Sequence, residues 1–215
     1  FNNVSIMQMA VEGNVWSRPR KASFSKVKDN WEPFPSPDGS YIVFTSNSHD
    51  FDAKWLGKPW ISMKADDGTW QQPERIELPV KWGKGIWHPA VSLENNMYFG
   101  AELEHHGNYG QSDIYVANIM QDSITIENIG EPINTKNEET HPFIAPDESY
   151  ILFSSNRSDG IEQLDIYVSF WTDEGWADPL GLGSKINTEA NEISAKVTPD
   201  NQFILFDRYF GENAT

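Results

Sequence analysis

One segment, Ile133 to Asn156, recurs along the chain at almost constant spacing, and that recurrence limits the possible folds more than any other feature. Ile133-Asn134-Thr135 returns as Ile186-Asn187-Thr188, and Pro146-Asp147 returns as Pro199-Asp200, both 53 positions later. Upstream, Pro33, Pro37-Asp38-Gly39 and Phe44 each precede Pro142, Pro146-Asp147-Glu148 and Phe153 by 109 positions, or two periods. A degenerate copy, His88 to Phe99, lies between. A fixed period of this order marks stacked or radial repeats, each unit burying its apolar face on the next.

A second half-repeat follows the first. Asp113-Ile114-Tyr115-Val116 is echoed by Asp165-Ile166-Tyr167-Val168, and the endings Gly68–Pro73 and Gly175–Pro179 are echoed at the start by Gly13–Pro19. The chain therefore opens with a second half and closes with a first half. Within each unit a Pro-Asp turn precedes an apolar run without alternation: Tyr41–Phe44, Met97–Phe99, Tyr150–Phe153 and Phe203–Phe206. Proline presets φ, aspartate bonds back to the backbone and glycine accepts a positive φ. A continuous apolar run of this length is a strand covered on both faces. Pro33, Pro89 and Pro142 cannot donate to a ladder, which places the strand before it at a sheet edge.

Small sheets of four short strands, covered on both faces by their neighbours, are β-propeller blades. The Ser36-Pro37-Asp38-Gly39 turn with Ser46-Asn47, Ala145-Pro146-Asp147-Glu148 with Ser155-Asn156, and Thr198-Pro199-Asp200-Asn201 resemble the TolB-type, WD40-like propeller repeat. The resemblance extends over nearly the whole chain. The expected fold is thus an all-β propeller of four-stranded antiparallel blades in a single domain, residues 1–215. Its repeats span 32–86, 87–139 and 140–192, and a closing fourth blade combines 193–215 with 1–31 by pairing strands near Val197 and Phe203 with the N-terminal hairpin. Closure removes exposed edges. The alternative is a fragment of a larger propeller.

Composition narrows the partners. The net charge of −16 repels nucleic-acid backbones and anionic membranes, and no run of 18 apolar residues spans a bilayer. Cysteine is absent, so no thiol chemistry arises. The chain starts at Phe1 without a signal peptide, as after a processed or trimmed segment. A monomer is expected. The resemblance to TolB-like proteins implies an extracytoplasmic location, periplasmic or at the cell surface, in a bacterium.

In the resembling family the first strand lines the central channel. The residues before the strand-one prolines, Glu32, His88 and His141, with Ser194 in the fourth copy, then converge on one axis. No cofactor is expected, but a carboxylate and two imidazoles suit a divalent metal; the alternative is that they bond neighbouring backbone and fix blade order. The loops on the same face carry further ligand candidates: Trp31, Trp55, Trp82, Trp87, His105, His106 and Arg157. Exposed indoles stack on sugars or grip peptides. Trp16, Trp70 and Trp176 recur in register and read as packing between blades, and Asp113 and Asp165 as ties for loop amides. The segment Asp66–Trp70 is similar to the Asp-box of sialidases, but its Gly-to-Trp spacing is one residue short.

No GxSxG elbow, P-loop or Cys nucleophile occurs. The expected function is a non-enzymatic module recognising a protein, peptide or carbohydrate at its loop face and channel. The alternative is a carbohydrate-active enzyme, either a glycoside hydrolase or a metal-dependent uronate lyase. Convergence of Glu32, His88 and His141 on one point favours the enzyme; their dispersal into backbone contacts favours the binding module.

Overall fold

A computed structural model describes residues 4–13, 15–25, 29–47, 57–80, 85–103, 106–161 and 163–210. All its elements are β-strands. Among the described residues no helix is long and apolar enough to cross a membrane. The N-terminal part contains β1 (Met7–Gln8), β2 (Val11–Glu12), β3 (Val15–Trp16) and β4 (Arg20–Lys21). Blade 1 consists of β5 (Asn30–Pro35), β6 (Tyr41–Ser46), β7 (Lys58–Met63) and β8 (Glu74–Arg75). Blade 2 consists of β9 (Ile86–Val91), β10 (Asn96–Ala101), β11 (Asp113–Asn118) and β12 (Glu127–Asn128). Blade 3 holds β13 (Glu139–Ile144), β14 (Tyr150–Ser155), β15 (Asp165–Thr172), β16 (Gly175–Trp176) and β17 (Leu180–Gly181). The chain then adds β18 (Asn191–Val197) and β19 (Ile204–Tyr209).

Each blade is antiparallel, and the strand carrying the repeated proline lies at its edge. The second strand is sandwiched: all of β6 is buried, and in β10 and β14 only the first residue is partly exposed. Phe44, Phe99 and Phe153 occupy equivalent buried positions. The Pro-Asp turns close as the residue types dictate. Asp38 Oδ1 accepts the Ser36 hydroxyl at 2.6 Å and the Ser40 amide at 3.0 Å, and Asp147 does the same for Ser149. The following residue takes positive φ as Gly39 (72°), Glu148 (60°) or Asn201 (56°).

The Ile-Asn-Thr repeat is a latch between blades. Asn134 grips both backbone groups of Ile114 in the preceding blade, accepting from its amide at 2.9 Å and donating to its carbonyl at 2.7 Å. Asn187 does the same to Ile166. The fully buried Glu139 then accepts the amide and hydroxyl of Thr135 and the hydroxyl of Ser155, while Arg157 lies 3.5 Å away. Glu192, Thr188 and Arg208 repeat the arrangement. Asp113 ties the loop amides of Tyr109 and Gly110, and Asp165 that of Ile161, as expected.

Among the described residues β18 and β19 pair with each other and the N-terminal strands pair among themselves. The N-terminal part is anchored on blade 1. Ile6, Ala22 and Phe24 pack with Ile42, Phe44, Trp60 and Trp70, and the Asn30 amide donates to Val4 O at 3.1 Å. Trp16 is not a packing residue: it is 66 % exposed. Trp70 meets Phe24 edge-on at 5.6 Å and Trp176 meets Trp171 at 5.0 Å, whereas Trp16 pairs with Val11 across its hairpin.

Candidate functional site

Glu32, His88, His141 and Ser194 share an unusual backbone state, with φ of 55°, 55°, 52° and 57°. Each sits where the register with the second strand slips: between Trp31 and Phe34, Trp87 and Ala90, Thr140 and Phe143, and Ile193 and Lys196. Two residues therefore oppose one phenylalanine, which is a β-bulge, a device that re-aims side chains. Non-glycine residues at positive φ store strain, and such positions cluster at functional sites. Here the strain recurs in four successive copies.

The bulges bring the four residues to one pocket of about 390 Å³, lined also by Phe34, Ile193, Lys196 and Asp207. Glu32 Oε2 accepts the His88 amide at 2.7 Å and the Thr45 hydroxyl at 3.0 Å, and Glu32 Oε1 lies 3.2 Å from His88 Nδ1. The imidazoles of His88 and His141 stack, with centroids 3.5 Å apart and planes 26° from parallel. His141 Nδ1 is buried without a hydrogen-bond partner among the described residues. Lys196 Nζ reaches Pro33 O at 3.5 Å and stands 5.7 Å above the Phe34 ring, joining β18 to blade 1.

Burial sets the charges. It holds the His141 imidazole down at about 3, and together with the neighbouring His141 and Lys196 it holds His88 well below the usual imidazole range. Both rings are neutral at pH 7. Burial raises the Glu32 carboxyl despite the His88 amide, the Thr45 hydroxyl and the Lys196 ammonium. It also lowers Lys196, opposed by Glu32 and Asp207. The pocket thus offers neutral imidazoles, two carboxyl groups, a hydroxyl and one ammonium beside apolar walls.

This geometry differs from a chelate. Among the described residues no three His, Asp or Glu side chains are placed to hold a metal ion. The two imidazoles stack face to face, and Glu32 is already occupied by His88 and Thr45. The Glu32, His88 and His141 set converges as expected, but partly through backbone contacts.

The other candidates stand elsewhere. Trp31 and Trp87 are half-buried and do not line the pocket; Trp31 packs on Gly57. His106 is half-buried, with its amide donating to Leu103 O. Arg157 belongs to the latch: it donates to Ile133 O at 2.6 Å and lies over the Phe153 and Tyr167 rings at 5.1 and 4.9 Å. Trp55, Trp82 and His105 lie outside the described residues. Lys196 and Asp207 are pocket residues that no sequence motif marks. A signal existed for Lys196, which occupies the repeat position held by Phe34 and Phe143.

Known proteins bear on this architecture through structure alone. No protein-family model matches the chain, and no curated protein matches it. Solved structures do, among them the following three. TolB from Acinetobacter baumannii superposes with a TM-score of 0.57 at 18% identity over 91% of this chain and 41% of that one. The fold is that of a β-propeller. Kuenenia stuttgartiensis hydrazine synthase gives 0.55 at 15% identity over 89% of this chain and 30% of that one. A nidogen–laminin complex gives 0.51 at 13% identity over 84% of this chain and 59% of that one. The chain spans about two-fifths of the TolB chain. At these identities the likeness is one of fold.

Proposed function

We propose that this propeller is a non-enzymatic interaction module whose partner, a protein, peptide or glycan, places a small polar group in the pocket between Glu32, His88, His141 and Lys196. The observation that carries the reading is the fourfold bulge. Four strained residues from successive copies converge on one pocket, and a buried imidazole nitrogen of His141 has no hydrogen-bond partner among the described residues. A protein partner is in keeping with the nidogen–laminin structure, itself a complex of two proteins. An extracytoplasmic location accompanies this reading through the TolB likeness.

The test is binding of the native chain, His141→Ala and Lys196→Ala to peptide and glycan arrays, with melting temperatures alongside. Native binders that both variants lose by about tenfold or more, equivalent to about 1.4 kcal/mol, at little cost in melting temperature would support the reading. Binders unaffected by either variant would overturn it.

A second reading rests on the contact of Glu32 with His88 and the raised Glu32 carboxyl. Carboxyl groups raised by burial serve as general acids in carbohydrate cleavage. Turnover of polysaccharide by the native chain that vanishes in Glu32→Gln would favour it over the binding module.

A further inference from the structure

Blades 1 and 3 end on the same hydrogen-bonded frame but present different side chains from it. In blade 1 the Lys64 amide donates to Ser40 O, the Gln71 amide to Met63 O and the Ser62 hydroxyl to Gln71 O, each at 2.8 Å. In blade 3 the Trp171 amide donates to Ser149 O at 2.9 Å, the Ala177 amide to Phe170 O at 2.9 Å and the Ser169 hydroxyl to Ala177 O at 2.6 Å. The cross-strand pair Lys64↔Trp70 therefore corresponds to Trp171↔Trp176. In blade 1 the Lys64 ammonium stands 5.6 Å from the centre of the Trp70 ring. In blade 3 a second indole replaces that lysine, and among the described residues no cation lies over either ring.

Trp171 is 58 % exposed, and its ring meets Trp176 with centroids 5.0 Å apart and planes at 82°. Trp176 is half-buried and packs on the core behind it. The turn between them carries Asp173 and Glu174, and Asp178 follows; all three are exposed. The turn is held in shape, since the Thr172 hydroxyl donates to Gly175 O at 2.8 Å and accepts the Glu174 amide at 3.2 Å. A platform already ordered loses little entropy on binding. From residue 158 to residue 184 the sequence has six carboxylates and no Lys or Arg, so no neighbour in sequence offsets the negative charge. Indole faces attract ammonium and guanidinium groups. Carboxylates beside them favour the same charge and repel anions. A neutral sugar would use the indole and leave the carboxylates without a charge to meet.

We propose that the Trp171–Trp176 hairpin is a docking site for a lysine- or arginine-rich segment of a protein partner. One cationic side chain lies over Trp171 as Lys64 lies over Trp70, and its neighbours meet Asp173, Glu174 and Asp178. The chain's own basic stretch is engaged elsewhere: Arg20 and Lys21 pair with Gln8 and Met7, in the N-terminal part that Ala22 and Phe24 fasten to blade 1. None of the hairpin residues lines the pocket, so this site stands or falls separately from the proposed function.

The probe is a dye-labelled hexa-arginine peptide, its binding to the native chain followed by fluorescence anisotropy at about 0.15 M salt. The native chain should bind it, and Trp171→Ala should weaken binding about five- to tenfold. Trp171→Lys recreates the blade 1 pair, covers Trp176 from within and should weaken binding at least as much, with the melting temperature unchanged. Asp173→Asn with Glu174→Gln should also weaken binding several-fold, and this variant decides if the tryptophan variants do not fold. Glu94→Gln, which removes an exposed carboxylate elsewhere, should leave binding unchanged. A native chain that does not bind, or binding that none of the hairpin variants changes, would overturn the proposal; the second result would be general attraction to an acidic protein. Trp171-dependent binding of chitohexaose in place of hexa-arginine would overturn it in favour of a glycan. Binding that appears only when Arg18, Arg20 and Lys21 are replaced by Gln would overturn it by showing the hairpin covered by the chain itself.

Discussion

His88 and His141, 53 positions apart in sequence, stack their imidazoles 3.5 Å between centroids because equivalent bulges in neighbouring blades throw both toward the channel. Two protonated rings could not hold that contact. Neutrality is therefore part of the structure, and it has consequences for stability.

The first concerns pH. In the unfolded chain an imidazole takes up its proton near 6.5, but folded His141 does so only at about 3. Between those values the unfolded state binds more protons, so stability falls as pH is lowered, by up to about 1.4 kcal/mol per pH unit for each such ring. Glu32 works in the opposite sense: its raised folded pKa adds stability at low pH that is lost as pH rises through that value. Thermal melting from pH 7.5 to 5 should fall for the native chain, fall less for the His88→Gln, His141→Gln double variant, and fall more steeply for Glu32→Gln.

The second concerns the latch. Glu139 is fully buried and satisfies the Thr135 amide, the Thr135 hydroxyl and the Ser155 hydroxyl. Glu139→Ala strands these donors and the nearby Arg157, and should cost about 3–5 kcal/mol. At about 2–4 °C per kcal/mol for a domain of this size, melting should drop by roughly 6–20 °C. Substituting the exposed Glu94 by Ala should leave urea and thermal unfolding nearly unchanged.

Much of this scaffold was legible in the sequence because it recurs. The apolar runs of β6, β10 and β14, the Pro-Asp turns and the edge prolines each carry their own physical cause, and repetition separates cause from coincidence. The convergence of Glu32, His88 and His141 was legible for the same reason, since one position in each unit faces the axis. What repetition hides is departure. Lys196 replaces the phenylalanine of Phe34 and Phe143 and supplies the pocket's ammonium. Trp16 keeps its register with Trp176 but loses the partner, because Val11 stands where Trp171 stands in blade 3.

The third prediction concerns backbone strain. Ser194 holds φ at 57° without a proline after it. Left-handed backbone costs a non-glycine residue about 1–2 kcal/mol, while glycine gives back about 0.5–1 kcal/mol through the unfolded chain. Ser194→Gly should be neutral or stabilising by up to about 1 kcal/mol. Ser194→Val, β-branched at the same angle, should destabilise by about 1–3 kcal/mol. A glycine variant that melts well below the native chain would contradict the bulge as described.

The account rests on bulge residues of successive blades meeting in a desolvated pocket, and proton NMR titration of the His88 and His141 imidazole Cε1–H resonances, assigned by single substitution, tests it most directly. The account predicts that neither ring titrates between pH 7.5 and 5, with His141 protonating only at about 3 or as the chain unfolds. Two rings titrating independently near 6.5, the value of a solvated imidazole, would contradict it, for they would then face water and not each other.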